Sequence, residues 1–195
     1  MDATEDGPIF RLMAQTGMRR SEVGGLTWNA IDFENARLSV QRTLIRQSLG
    51  GKSIWVFCEP KSRSSRRTIP LPPQAIELLK SRLVVTNESR LAAGTAWADN
   101  NLVFCTPYGE PLNLDALSAR ARRLRKRLGL QAGVQSVHGL RHLFGTTQHH
   151  LAGTDVKTLQ VLMGHSRATT TLDLYISEDE SAAAAAALKA GDLFG

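Results

Sequence analysis

Apolar positions along the chain recur first at helical spacing, then in alternation, then at helical spacing again. Gly7-Pro8 followed by IFRLMAQTG predicts a helix with proline in its first turn and Gly17 as its C-terminal stop. Ser21-Glu22-Val23 opens a second short helix expected to run through Leu26 and Trp28 and to end near Asp32-Phe33. Arg19 is thereby placed in a tight junction between two helices. From Arg37 to Arg46 the pattern alternates, with Leu38, Val40 and Leu44 on one side, and SIWVFC (Ser53 to Cys58) is rich in β-formers. SLGG between them signals a turn. A third run, Arg67 to Leu71, completes an expected small antiparallel sheet ending at Pro70 and Pro72, with Lys61 at or near a β-turn.

Pro72-Pro73 starts a helix with Ile76, Leu79 and Leu83 on one face, running to about Gly94. Leu102 to Cys105 reads as an extended segment and Tyr108-Gly109 as a turn. Asn113 is the expected N-cap of a helix whose apolar stripe is Leu114, Leu117, Ala121, Leu124 and Leu128. Ser136 is expected to cap a helix that carries His138 and Arg141, continues through Leu143, Phe144 and Leu151, and stops at Gly153. Thr154 is the expected cap of the next, with Val156, Leu159, Val161 and Leu162 inward and Gly164 ending it. Ser181 to Ala190 is an alanine-rich helix after that, with Leu188 and later Leu193-Phe194 as its large apolar groups. The pattern describes a mainly α domain with a small antiparallel β-sheet. No internal repeat is present, and no composition break divides the first 176 residues.

Composition adds size and partner class. At 195 residues and 42% hydrophobic the chain can bury one good core, or one domain with a tail. A formal net charge of +6 points to a polyanionic partner, with nucleic acid ahead of an acidic membrane surface. No segment approaches the roughly 18 to 20 continuous apolar residues of a membrane span, and MDATEDGPIF lacks the regions of a signal peptide, so a cytoplasmic location is expected. Cys58 and Cys105 lie in apolar runs without CxxC spacing, which suggests buried thiols, not a disulfide framework or a zinc site. The charge is concentrated. Arg120, Arg122, Arg123, Arg125, Lys126 and Arg127 fall on one helix, and no acidic residue occurs from Ala116 to Thr154. A solvated helix face normally alternates sign, so this one is read as facing phosphates.

Candidate chemistry gathers in VHGLRHLFGTTQHH and VLMGHSRATTTLDLY. His138 and Arg141, three residues apart on a helix, share a face, so an imidazole and a five-donor guanidinium can converge on one phosphate. His165 follows a helix stop, and Tyr175, ten positions on, is a nucleophile candidate. Attack of a tyrosine oxygen on a phosphodiester spreads charge over the non-bridging oxygens, and two arginines, Arg19 and Arg141, suit that charge. Tyrosine's reference pKa of about 10 demands a base or a strong positive field, and the departing 5′ oxygen needs a proton. His138 and Lys61 are the available acid-base pair. No GxxxxGK[ST] loop and no carboxylate cluster for magnesium occurs, and neither a cofactor nor a metal is expected. His138 and His142 stand at a spacing that can bind zinc, but no helical glutamate or third ligand accompanies them. Taken singly, each of these residues has an ordinary reading as a surface cation, a capping histidine or a packed aromatic.

Taken together, TGMRRSEVGGL, EPKSRSSRRTIPL, HGLRH, LMGHS and TTTLDLY, in that order, resemble the catalytic domain of the tyrosine recombinases, the phage-integrase family. The resemblance runs from Thr16 to Tyr175. It implies a site-specific DNA recombinase or integrase that cleaves and rejoins strands through a covalent 3′-phosphotyrosine. It further implies Tyr175 as nucleophile, Arg19 and Arg141 on the phosphate, Lys61 as general acid, His138 assisting proton transfer and His165 bonding the scissile phosphate. Glu22 would steady the site from behind. Arg63, Arg66, Arg67, Arg120, Arg122, Arg123 and Lys126 are the expected DNA contacts. The implied partners are double-stranded DNA and copies of the same chain, as a tetramer in the synaptic complex. Residues 1–177 are expected to form the catalytic domain and 178–195 a tail helix exchanged between protomers. Family members usually carry an N-terminal helical DNA-binding domain, which is expected to be absent from this chain. Relaxation of DNA in the manner of type IB topoisomerases, and a DNA-binding regulator that does not cut, are the alternative readings.

Overall fold

The first helix, α1 (Gly7–Thr16), has proline in its opening turn and presents Ile9, Phe10, Leu12 and Met13 to the interior. Full burial of Leu12 and Met13 contributes about 1.5–3 kcal/mol each. The helix stops at Gly17, whose φ of 64° is left-handed and whose N–H returns to the Met13 carbonyl at 2.9 Å. A Cβ on Gly17 would stand 2.4 Å from a ring carbon of Phe144, so only glycine permits both the stop and the approach of that ring. The computed structural model describes residues 6–60, 62–127 and 137–165, except for the side chain of Arg63. Lys61, Leu128, Ser136, Tyr175 and the expected tail with Leu188, Leu193 and Phe194 lie outside the described residues.

After α1 come α2 (Arg20–Gly24) and a short 3-10 turn over Trp28–Ala30. The expected helix through Leu26 and Trp28 is thus cut short at Gly24, where the Gly25 N–H turns back to the carbonyls of Ser21 and Glu22. Among the described residues five strands follow: β1 (Ile31–Asp32), β2 (Arg37–Ser39), β3 (Thr43–Leu49), β4 (Lys52–Cys58) and β5 (Thr68–Pro70). They form two sheets, not one. β1, β2 and β5 make a three-stranded antiparallel sheet in that order, with Leu38 opposite both Ile31 and Ile69. β3 and β4 form a separate antiparallel hairpin turned at Gly50-Gly51, where Thr43 pairs with Cys58 and Leu49 with Lys52. The alternating run from Arg37 to Arg46 therefore breaks between Ser39 and Thr43. Arg42 explains the break: its guanidinium lies 4.1 Å over the Phe57 ring and bonds the carbonyls of Gly25 and Asn100, anchoring the chain away from β5.

Among the described residues the remaining α-helices are α3 (Pro73–Ala93), α4 (Leu114–Arg127), α5 (Val137–His150) and α6 (Val156–Met163). Leu102–Cys105 is extended, held by isolated bridges to Thr27 and Pro111. Asn113 caps α4 as its sequence predicts, its Oδ1 accepting from the N–H groups of Asp115 and Ala116. At α6 the cap is Asp155 and not Thr154, because the Asp155 carboxylate accepts from the Lys157 and Thr158 N–H groups. Leu159 and Met163 are buried, and Val161, expected inward, is exposed. Leu151 and Leu143 are exposed as well. Cys105 is buried and Cys58 half-buried. Among the described residues no helix is long and apolar enough to cross a membrane.

One core joins α1, both sheets, α3, α4 and the start of α5 through residues such as Met13, Leu38, Leu44, Leu79, Leu117 and Leu140. Phe144, Leu159 and Met163 form a second, smaller cluster between α5 and α6. The candidate site lies where these two clusters meet.

Candidate functional site

The C-terminus of α6 is the scaffold of the site. A helix end leaves its last carbonyls without intrahelical partners, and here three successive ones are each taken by an arginine from a distant part of the chain. The Leu162 carbonyl accepts from Arg67 Nε at 2.6 Å, the Met163 carbonyl from Arg141 Nη2, and the Gly164 carbonyl from Arg19 Nη2 at 2.9 Å. Cations at this end also meet the negative pole of the helix dipole. Gly164, at φ 64°, ends the helix and turns the chain so that His165 leaves the axis. A Cβ there would meet the Ser64 carbonyl at 2.8 Å and Arg67 Nη1 at 2.9 Å.

Arg19 is the N-cap residue of α2, fixed between two helices as its sequence position predicts. Its side chain is 32% exposed, the most open of the three arginines, and it lines a cleft of about 360 Å³ with Arg20, Ser21, Val137 and His138. Arg141 lies beneath. It is 1% exposed and its Nη1 donates to the Gly17 carbonyl at 2.6 Å, so it ties the end of α1 to the end of α6. In this structure Arg19 faces the cleft while Arg141 supplies charge from behind it.

Glu22 is 1% exposed and accepts four hydrogen bonds: from the Arg19 N–H at 2.8 Å, Arg19 Nη1 at 2.7 Å, and Arg67 Nη1 and Nη2 at 3.0 Å each. Burial pushes its carboxyl up, but the bonds and charge of Arg67, with those of Arg19, outweigh burial and hold it below the usual carboxylate value. Removing one member of a buried pair of this kind costs about 3–5 kcal/mol.

The histidines respond to the same cations. His165 is pushed down to about 4, first by burial and then by the charges of Arg141, Arg19, Arg67 and His138. His138 is lowered by burial, then by His142, Arg141 and Arg19. His142 packs edge-on against His138 with ring centroids 4.9 Å apart. Both site imidazoles are therefore neutral at pH 7, able to accept a proton or to donate one N–H to an oxygen.

The structure brings Arg19, Glu22, His138, Arg141 and His165 together, although they come from α2, α5 and the turn after α6. It does not group the expected DNA contacts in one way. Arg122, Arg123 and Lys126 are exposed on α4, and Arg66 is exposed beside Glu59, with which it pairs. Arg120 is engaged by the Asp6 carboxylate through Nε at 2.5 Å and Nη2 at 2.9 Å. Arg67 is a correction: its side chain is only 4% exposed and is enclosed by Glu22 and the α6 terminus, so it is not a surface phosphate contact. Sequence reasoning placed Arg67 in a basic run and missed its partner. The signal that was present is the lone carboxylate Glu22, which a single neighbouring arginine does not saturate.

Helices packed over two small antiparallel sheets give this chain the fold of the tyrosine recombinase catalytic domains. The chain matches the phage integrase family over residues 1–182, and it belongs to that family. It is 31% identical over 175 residues to a tyrosine recombinase XerC-like protein of Caldanaerobacter subterraneus subsp. tengcongensis, covering 86% of this chain and 44% of that one. It is 28% identical over 168 residues to the transposase from transposon Tn916 of Enterococcus faecalis, covering 84% and 40% respectively. Among solved structures it is similar to the Tn1549 transposon integrase in complex with circular intermediate DNA, with a TM-score of 0.74 and 26% identity over 95% of this chain and 59% of that chain. The chain thus spans less than half the length of these two curated relatives.

Proposed function

We propose that this chain carries the strand-transfer centre of a site-specific DNA recombinase, acting on double-stranded DNA through a 3′-phosphotyrosine at Tyr175. The observation that carries the reading is that Arg19 and His138 line one cleft beside the α6 terminus, with Arg141 buried behind it and His165 close enough to feel the charges of all three. Fixed cations aimed at a phosphate stabilise the charge that develops as the tyrosine oxygen attacks, and arginines remain charged at any working pH. In this scheme the Tyr175 oxygen bonds to phosphorus as the bond to the 5′ oxygen breaks. Lys61 protonates that leaving oxygen. His138 takes or returns the tyrosine proton, and His165 donates an N–H to a non-bridging oxygen. Attack by a second DNA 5′-hydroxyl on the phosphotyrosine reverses the step with no energy source, because the bond energy is retained in the adduct.

Arg122, Arg123 and Lys126 on α4, with Arg63 and Arg66 near the hairpin, are assigned to backbone phosphates in this reading. Residues 1–177 form the catalytic unit, and 178–195 a tail that docks through Leu188, Leu193 and Phe194 on a neighbouring protomer. Four copies assemble on two DNA sites, and the work is done in the cytoplasm. The kinship with a transposon integrase studied on circular intermediate DNA supports a mobile-element substrate over simple relaxation of DNA.

The test uses nicked suicide duplexes tiling the DNA that flanks the gene, resolved on a denaturing gel. The unsubstituted chain is expected to give a covalent band, and Tyr175→Phe to bind the same duplex without giving one. A band that persists in Tyr175→Phe removes the nucleophile assignment. Duplex binding with no band from either protein favours the non-cutting regulator.

A further inference from the structure

Arg67 stands in the basic run KSRSSRR, yet it is the least DNA-accessible cation of that run whose side chain is described. Its two terminal nitrogens span both oxygens of Glu22, and its Nε holds the Leu162 carbonyl. Glu22 is shared with Arg19, each oxygen accepting one bond from Arg19 and one from Arg67. A carboxylate offers about four lone-pair sites, and these four bonds occupy them.

We infer that Arg67 is a positioning residue for DNA strand transfer, acting through Glu22 on Arg19 and through the Leu162 carbonyl and the Gly164 turn on His165. This rests on the strand-transfer reading of the cleft. Two charges decide the matter. With Arg67 present, one buried carboxylate faces two guanidiniums, and a positive charge remains at Arg19 for an incoming phosphate. Without it, Glu22 and Arg19 form a neutral pair, Arg19 is drawn back toward the carboxylate, and two lone pairs of Glu22 lose their donors. The same loss opens the wall against Gly164, whose α-carbon is closed in by Ser64 and Arg67, and so loosens the turn that presents His165. One side chain therefore sets the net charge around one group of the cleft and the direction of another, without touching DNA.

The experiment measures single-turnover adduct formation and duplex affinity for the full chain on the suicide duplex that gives a band, together with Glu22 titration by carboxyl carbon NMR. Arg67→Met is expected to slow adduct formation about 100-fold, as a misplacement near 1 Å does, to leave duplex affinity within about threefold, and to raise the Glu22 pKa. Adding Glu22→Gln to Arg67→Met removes the unbalanced carboxylate and is expected to restore about tenfold of the rate, since residues in one network couple. A purely structural role predicts the reverse, because the double variant loses still more of the buried network. The inference is overturned if Arg67→Met reacts within threefold of the parent, or if the double variant is no faster than Arg67→Met. Should thermal unfolding show that Arg67→Met does not fold, Arg67→Lys takes its place: it keeps the charge but cannot span both oxygens, and is expected to react about tenfold slower. An unchanged rate there overturns the inference equally. If the unsubstituted chain gives no Tyr175-dependent adduct on any duplex, the strand-transfer reading itself falls, and this role with it.

Discussion

The arginines at the end of α6 and those on the outer face of α4 are the same residue type in one basic chain, but they stand in opposite environments. Arg67 and Arg141 are withdrawn from water, bonded to a carboxylate or to main-chain carbonyls, and held in single geometries. Arg122, Arg123 and Lys126 stand in solvent. Geometry matters in the first group and charge in the second. A buried guanidinium is chosen for its fork of donors, which a lysine cannot imitate, whereas an exposed cation near a polyanion acts chiefly by displacing counterions.

That contrast is open to attack from both sides. The largest effect is expected from Arg141→Lys, which keeps the charge and loses the second carbonyl bond; the rate of covalent adduct formation should fall on the order of 10³-fold, with duplex affinity nearly unchanged in a binding titration. Reversing Arg122, Arg123 and Lys126 to glutamate should do the opposite. Duplex affinity should fall and the slope of log K against log salt should flatten by about three units or more, while the single-turnover rate at saturating protein stays near that of the parent. Equal behaviour of the two sets in both assays would erase the distinction.

The smallest effect concerns pH. His165 is held down to about 4 and His138 is held below its ordinary value. An unfolded chain binds protons on these imidazoles from about pH 6.5 downward, where the folded protein does not. The stability that rests on neutral imidazoles is therefore complete above pH 6.5 and declines as pH falls, for His165 down to about 4. Both groups are partly solvated, so the loss is modest. Thermal melts from pH 7 to 4 should show it, and His165→Asn should flatten part of that slope.

Much of the fold was legible because its punctuation is local. Gly17, Asn113, Pro72 and Gly164 act on the backbone within a turn of themselves, and each stands where the sequence places it. The expected single sheet failed for a non-local reason, the anchoring of Arg42 by carbonyls of Gly25 and Asn100. Thr154 lost the α6 cap to Asp155, a neighbour with an equally suitable side chain, which no pattern in the sequence could decide. The site divides in the same way. His138 and Arg141 are joined by helical spacing, but the engagement of Arg67 with Glu22 spans 45 residues, and a basic run in sequence gives no sign of which member turns inward.

The small cluster of Phe144, Leu159 and Met163 also has a bearing on how the protein breathes. Stability is distributed in cooperative units, and a unit with few buried apolar groups opens at lower free energy than the body it rests on. α6 is eight residues long, too short to be helical alone, and its buried apolar face is Leu159 and Met163. Its polar attachment to the rest of the domain is directional: three arginine bonds to the carbonyls at its C-terminal end. The end of α6 that carries His165 is therefore expected to open at lower free energy than α1 and the sheets, which hydrogen exchange would register as weaker protection of the α6 amides.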